Sequence, residues 1–122
     1  MNNQVDIAIL GGGLAGLTLA RRLRTNRPEL TIRVLEKQKD LPQTAAFKVG
    51  ESTVEIGAHY LAETLGLRQH LQDHHLVKYG FRIFFSQSGN RDITRRTELG
   101  VAKIFPTGAF QIDRGRLENF LL

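Results

Sequence analysis

The sequence has 122 residues, of which 41% are hydrophobic, with a formal net charge of +5 and no cysteine. This length suits one domain with a modest core, and the lack of cysteine excludes disulfides, thiolate nucleophiles and cysteine-ligated metals. No apolar run approaches the roughly 20 residues of a membrane-spanning helix, no signal-peptide pattern opens the chain, and the dispersed positive charge favours a solvated basic surface over a nucleic-acid site.

The first part of the chain predicts a strand, a helix and a second strand. Residues 5–10 are a short apolar run that ends abruptly in glycines, as a buried strand does. Residues 14–26 carry apolar side chains at helical spacing, and Pro28 follows the end of that pattern. Residues 30–36 form another β-branched apolar run. Two buried strands around one helix predict a βαβ unit, in which the strands are parallel and the crossover is right-handed.

The middle of the chain predicts a loop followed by two helices. Residues 37–51 show no periodicity, and a loop of this length in a compact domain is typical of a binding segment. The segment Ser52-Thr53-Val54-Glu55 fits a capping box, which predicts Ser52 as the N-cap of a helix that stops at Gly66. A second short helix is predicted over residues 67–75.

The last part of the chain predicts a short antiparallel excursion and a final helix. Alternation over residues 79–86 favours a half-buried strand, residues 87–90 have turn chemistry, and residues 101–105 favour another strand. The pattern over residues 113–122 is helical. Five phenylalanines are expected in the core rather than in a base-stacking platform: Phe81, Phe84, Phe85, Phe105 and Phe110. His70 and His74 lack a third ligand nearby, so we expect exposed histidines and no metal site.

The spacing G-x-G-x-x-G at the end of the first strand predicts a dinucleotide-binding turn. Gly11 permits the tight turn, Gly13 lets a diphosphate approach the backbone, and Gly16 allows the helix to pack closely. Leu14 and Ala15 open the helix, whose N-terminus presents N–H groups and a positive dipole end to phosphates.

An acidic residue follows this turn at the spacing that such a site requires. Glu36 ends the second strand, where a carboxylate accepts a hydrogen bond from a ribose hydroxyl and disfavours a 2′-phosphate. Glu36 and the adjacent Lys37 are therefore predicted to contact the ADP-ribose of FAD or NAD. The alternative interpretation is a non-binding turn with a surface glutamate.

Two further segments contain motifs. Residues 48–53 read Lys-Val-Gly-Glu-Ser-Thr, and residues 113–121 fit D-R-x-x-L-E-x-x-L. With the glycine turn and Glu36, these segments resemble the flavin-dependent monooxygenases of the hydroxybenzoate-hydroxylase type and, among them, the flavin-dependent halogenases. The resemblance implies that FAD is the cofactor and that its flavin half lies near four residues: Gly50, Glu51, Ser52 and Arg114. By charge, Lys48 is expected either at a phosphate or in solvent.

The segment Val77-Lys78-Tyr79-Gly80-Phe81 is similar to the K-x-G-x-x-F segment of halogenases. In that family the lysine captures or directs hypohalous acid, so the resemblance implies that Lys78 is catalytic. The alternative interpretation is a lysine that protects the edge of a strand.

The resemblance implies an α/β, Rossmann-like FAD/NAD(P)-binding fold, with residues 1–122 as the N-terminal portion of a longer FAD-binding domain. We expect this portion to be inactive alone and to hold FAD weakly or not at all. The complete protein is expected to oxidise a small organic substrate with reduced FAD and O₂, its electrons coming from a flavin reductase or NAD(P)H. The alternatives are a flavin- or NAD-dependent reductase without oxygen chemistry, such as a prenyl reductase, and a non-enzymatic nucleotide-binding module.

Overall fold

The predicted βαβ unit is present at the start of the chain. The computed structural model describes residues 4–45, 47–86, 88–103, 106 and 108–122. Strand β1 (Ile7–Leu10) is followed by helix α1 (Leu14–Asn26) and strand β2 (Ile32–Leu35). The two strands are parallel and in register from Ile7–Ile32 to Leu10–Leu35, so their carboxyl ends meet at one edge of the sheet, next to the glycine turn.

The second helical region begins later than predicted. Helix α2 (Glu55–His59) has Val54 as its N-cap, and no side chain caps it. The predicted capping box is therefore wrong, because Ser52 lies in an isolated antiparallel bridge with Gln111. A π-helical turn (Tyr60–Thr64) continues α2.

The stop predicted at Gly66 is confirmed, since this residue has φ +66°. Helix α3 (Arg68–His74) then forms where a short helix was predicted.

The remaining strands of the described residues form two antiparallel pairs. Strand β3 (Leu76–Lys78) pairs with β6 (Ala109–Gln111), and strand β4 (Arg82–Phe85) pairs with β5 (Thr97–Gly100) across a 3₁₀ turn at Ile93–Arg95.

Of these strands only β4 corresponds to a prediction. The turn at 87–90 is confirmed for residues 88 and 89, while Gln87 lies outside the described residues. The strand predicted over residues 101–105 is absent from 101–103, and residues 104 and 105 lie outside the described part.

The predicted core phenylalanines are mostly misplaced. Every residue of β4 is exposed, so the predicted half-buried strand is wrong: its alternation marks two open faces of a two-stranded hairpin. Phe81 is 70% exposed, whereas Phe110 on β6 is 8% exposed and joins the core. Phe105 lies outside the described residues. Alternation specifies two faces of a strand, but it does not specify that a neighbour covers either of them.

The core lies beneath α2 and α3 and is closed by helix α4 (Arg114–Leu121), which forms where the last helix was predicted. Its buried members come from the helices, from β6 and from the residues that flank them: Ala58, Leu61, Ala62, Leu65, Leu67, Leu71, Phe110, Ile112 and Leu117. Two arginines of α1 dock onto this layer, as Arg21 Nε donates to Leu65 O at 2.8 Å and Arg22 Nη1 donates to Thr64 O at 3.4 Å. Part of the basic surface predicted to be solvated therefore joins α1 to the helical layer.

Of the two histidines predicted to be exposed, His74 is exposed and His70 is not. His70 is buried, not exposed, and its ring stacks on Phe120 with centroids 3.9 Å apart. Within the described part of the chain, no group of three or more His, Cys, Asp or Glu side chains could hold a metal ion. None of the helices in that part combines the length and the apolar character needed to cross a bilayer.

Candidate functional site

The glycine turn joins β1 to α1 and leaves an open position above its backbone. Gly11 has φ +111°, which only glycine adopts readily. A Cβ atom on Gly16 would lie 1.9 Å from the carbonyl oxygen of Gly11, so the helix can pack against the turn only without a side chain there. At Gly13 a Cβ would meet nothing nearer than Glu118 Oε1, at 4.0 Å. The turn thus has no room for a side chain at Gly16, whereas the space next to Gly13 is free to receive a ligand.

Glu36 holds this turn from the end of β2. Its Oε2 atom accepts a hydrogen bond from the Gly12 backbone N–H at 2.7 Å, and its Oε1 atom accepts one from Gln38 at 2.8 Å. These hydrogen bonds, first from Gln38 and then from Gly12, lower the pKa of the Glu36 carboxyl. The carboxylate therefore lies at the glycine turn, and its contact with a ribose stays a prediction. Lys37 lines a neighbouring concavity together with Leu10, Gly11 and Glu36.

The stretch without periodicity, residues 37–51, is anchored on α4. Asn119 Nδ2 donates to Pro42 O at 2.6 Å, and the Ala45 N–H donates to Asp113 Oδ2 at 2.7 Å. Gly115 provides the third contact, because a Cβ there would lie 1.7 Å from Gln43 O. Through these contacts the final helix brings Lys48 to the glycine turn.

A buried carboxylate connects the turn, the loop and α4. Glu118 is 1% exposed, and its Oε1 atom accepts hydrogen bonds from the Leu14 N–H at 3.2 Å and from Arg114 Nη2 at 2.8 Å. Its Oε2 atom pairs with Lys48 Nζ. We call Lys48, Arg114 and Glu118 the charge cluster. Ala15, also predicted at the cofactor, is exposed in the first turn of α1.

Sequence reasoning did not single out Glu118 as a site residue. The usable signal was its position four residues after Arg114, since an i,i+4 pair of opposite charges meets on one helix face. That Glu118 also reaches the start of α1 could not be read from this spacing.

A cavity of about 200 Å³ lies between the turn and the loop, lined among others by Gly12, Gly13, Glu36, Lys48 and Glu118. The residues around it fit a dinucleotide. The backbone position at Gly13 can take a diphosphate, Lys48 lines the same cavity, and Glu36 can accept from a ribose hydroxyl. Arg114 pairs with Glu118, which also lines this cavity.

The segment around Gly50 links the charge cluster to Lys78. Glu51 Oε1 accepts from the Arg114 backbone N–H at 3.2 Å, and Arg114 Nη1 donates to Val49 O at 2.8 Å. Glu51 thus helps to cap α4, and Gly50 forms an open turn with φ +90°. Ser52 follows two residues after Gly50, and its Oγ atom accepts a hydrogen bond from Lys78 Nζ at 2.8 Å. Lys78 Nζ also donates to Thr53 O.

Lys78 lies at an apolar cavity. Its Nζ atom is 5.0 Å from the ring centroid of Phe81. A cavity of about 410 Å³ opens there, lined mainly by apolar side chains and glycines from β4, β5 and the segments that flank them. Pockets of this size commonly hold small organic ligands. The structure therefore brings Ser52 together with Lys78, and places both outside the charge cluster.

Comparisons with known proteins agree with this architecture. Residues 9–96 match the family described as NAD(P)-binding Rossmann-like domain. The flavin-dependent halogenase chlA of Dictyostelium discoideum is 33% identical over 98% of this chain, which covers 21% of that protein. The mitochondrial L-2-hydroxyglutarate dehydrogenase of Homo sapiens is 44% identical over 49% of the chain and 13% of its own length.

Solved structures show the same fold. The halogenase PltM matches 98% of this chain and 26% of its own chain, with a TM-score of 0.67 and 20% identity. MibH, a lanthipeptide tryptophan 5-halogenase, matches 99% of this chain and 32% of its own chain, with a TM-score of 0.61 and 19% identity. These matches confirm the predicted α/β class and the predicted resemblance to flavin-dependent halogenases. The chain spans about a fifth to a third of the length of the halogenases it matches.

Proposed function

This chain belongs to the family of NAD(P)-binding Rossmann-like domains, and from that premise we propose that it binds FAD within a flavin-dependent oxidoreductase. The observation that carries this proposal is the open corner at Gly13, with Glu36 on one side and the charge cluster on the other. A diphosphate requires backbone without a side chain, a positive helix end and nearby cations, and these features occur together here.

FAD is favoured over NAD by what lies beyond the diphosphate position. The backbone from Val49 to Thr53 runs from Arg114 to Lys78, so residues predicted for the flavin half form one continuous segment. The resemblance to a flavin-dependent halogenase also extends over nearly the whole chain. Both features suit an extended cofactor that runs from the glycine turn towards Lys78.

We propose halogenation or a related monooxygenation as the reaction of the complete protein. FAD would supply the two-electron redox chemistry and the reaction with O₂. Lys48 and Arg114 would neutralise its phosphates, and Glu36 would orient the ribose. Lys78 would hold the oxidised halogen at the mouth of the apolar cavity, which would take an organic substrate. Electrons would come from a flavin reductase or from NAD(P)H.

Ser52 has a role in this scheme that differs from the predicted helix cap. Its hydroxyl accepts one hydrogen bond from Lys78 Nζ, while Thr53 O accepts another. An ammonium group has three donors, so one remains for a reactant. Ser52 and Thr53 therefore fix the direction in which that donor points.

The second candidate is a flavin-dependent dehydrogenase without oxygen chemistry. It is favoured by the 44% identity to L-2-hydroxyglutarate dehydrogenase, although that match covers 49% of the chain. Both candidates share the FAD site and differ in whether Lys78 takes part in the reaction.

The first experiment is purification of the complete protein and reconstitution with FAD. A yellow protein with bound FAD supports the shared proposal, and a colourless protein that cannot be reconstituted overturns it. We expect this chain by itself to hold FAD weakly and to be inactive, because it spans about a fifth of the Dictyostelium relative.

The second experiment separates the candidates by replacing Lys78. We expect Lys78→Ala to abolish halogenation while the protein keeps FAD and still oxidises its electron donor. Lys103→Ala, at an exposed lysine outside the site, is the matched control and should keep full activity. Halogenation that survives in Lys78→Ala would remove the role of Lys78, and an absence of halogenation in the unaltered protein would favour the dehydrogenase.

A further inference from the structure

We propose that Glu118 is a positioning residue, whose buried carboxylate fixes Lys48 and Arg114 at the diphosphate of the cofactor. This inference rests on the proposed FAD site. It assigns a role to a side chain that contacts no reacting atom but determines where both cations of the charge cluster lie.

The first support is the burial of Glu118 together with its complete set of partners. The side chain is 1% exposed, and three donors converge on its carboxylate: the Leu14 N–H, Arg114 Nη2 and Lys48 Nζ. A buried carboxylate is stable only when it is paired and hydrogen-bonded, so these donors and Glu118 depend on one another.

The second support is that Arg114 keeps unused donors. A guanidinium has five N–H groups, of which Val49 O and Glu118 Oε1 each engage one. Within the described part of the chain, the Nε atom of Arg114 is buried without a partner. An arginine held by acceptors on two sides, with further donors unused, is preorganised for an anion such as a phosphate.

The third support is the charge balance of the cluster. Lys48 and Arg114 contribute two positive charges and Glu118 one negative charge, so the cluster carries one net positive charge. Lys48 and Glu118 line the cavity at Gly13, together with the charged residues Glu36, Lys39 and Asp40. Without Glu118 the two cations would repel each other. Lys48 would also lose its anchor, because it lies on a loop segment without regular structure.

The competing interpretation is that Glu118 occupies the anion position and must leave when a diphosphate binds. The two interpretations predict opposite effects of Glu118→Gln, which keeps the shape of the side chain and removes its charge. If Glu118 positions the cations, cofactor affinity falls. If it competes with the diphosphate, affinity rises.

The test measures dissociation constants for FAD and for ADP on the complete protein after its flavin has been removed. We expect Glu118→Gln to weaken both by roughly tenfold or more, as charge-assisted contacts are lost. Glu29→Gln is the matched control, because Glu29 forms an exposed ion pair with Arg27, and its dissociation constants should not change. Equal or tighter binding by Glu118→Gln overturns the proposal.

A double-mutant cycle with Lys48→Ala separates positioning from a general loss of structure. We expect Lys48→Ala to weaken ADP binding in the unaltered protein and to have little further effect in Glu118→Gln, because Lys48 is no longer held. Additive effects overturn the proposal. If Glu118→Gln does not fold, the Lys48→Ala variant alone tests the proposal. An unchanged dissociation constant for ADP in Lys48→Ala then counts against the proposal. An unaltered protein that binds neither ligand instead overturns the FAD site itself.

Discussion

Replacement of Gly16 by alanine tests the packing on which the glycine turn depends. The Cβ of Gly16→Ala would lie 1.9 Å from Gly11 O and 3.1 Å from Gly11 C. Non-bonded heavy atoms settle roughly 3.5 Å apart, so helix α1 and the turn would have to separate by about 1.5 Å. Because these atoms are backbone, no side-chain rotation can relieve the contact.

Overpacking of this kind costs about 1–3 kcal/mol, against a total folding free energy of about 5–15 kcal/mol. For a chain of this size the expected fall in Tm is roughly 4–12 °C. Thermal unfolding of the chain, followed by circular dichroism, measures it. The same displacement would disturb the Leu14 N–H that Glu118 caps, so FAD reconstitution of the complete protein should weaken as well.

Gly13→Ala is the control that separates packing from binding. Gly13 has φ −80° and ψ −175°, an extended conformation that alanine adopts freely, and its Cβ would contact nothing nearer than Glu118 Oε1, at 4.0 Å. Stability should change by at most about 1 kcal/mol, through the poorer N-cap, while FAD binding should be lost because the methyl group occupies the diphosphate position. An unchanged Tm in Gly16→Ala, or full FAD affinity in Gly13→Ala, would refute this reasoning.

Two further predictions concern Glu36 and His75. Glu36→Ala removes the acceptor of the Gly12 N–H and should weaken FAD binding roughly tenfold, the usual worth of a hydrogen bond to a charged group; a fluorescence titration that gives equal affinity would count against the ribose role. Burial, and then the neighbouring His70, lowers the pKa of His75 from 6.5 to about 4, so the folded state binds fewer protons than the unfolded state in this range. Stability should be full above pH 6.5 and fall as the pH drops towards 4, by at most about 1.4 kcal/mol per pH unit. In His75→Asn, which cannot titrate, denaturation midpoints measured across this range should show a flatter dependence.

Local sequence patterns determined the βαβ unit and its turn. The helix predicted from Leu14 to about Asn26 is present, because apolar spacing and the following proline are signals within one segment. The roles of Gly11 and Gly16 were also readable, since a tight turn and a close helix contact impose their requirements on neighbouring residues.

Tertiary structure decided the features that join distant segments. Strands β3, β5 and β6 are short and lack a strong periodicity, so pairing with a partner defines them. Ser52 has the local pattern of a helix cap but lies beside Lys78, because residues around it pair with β6.

The arrangement of the charge cluster could not be predicted from local sequence patterns. The motif at residues 113–121 identified Arg114 as a cofactor residue through resemblance, but the contact between Leu14 and Glu118 spans 104 positions. Periodicity describes one element at a time, whereas the placement of a buried charge depends on which elements meet around it and supply its partners. The sequence alone therefore determined the turn that can receive a dinucleotide, and only the fold placed the cations and the carboxylate beside that turn.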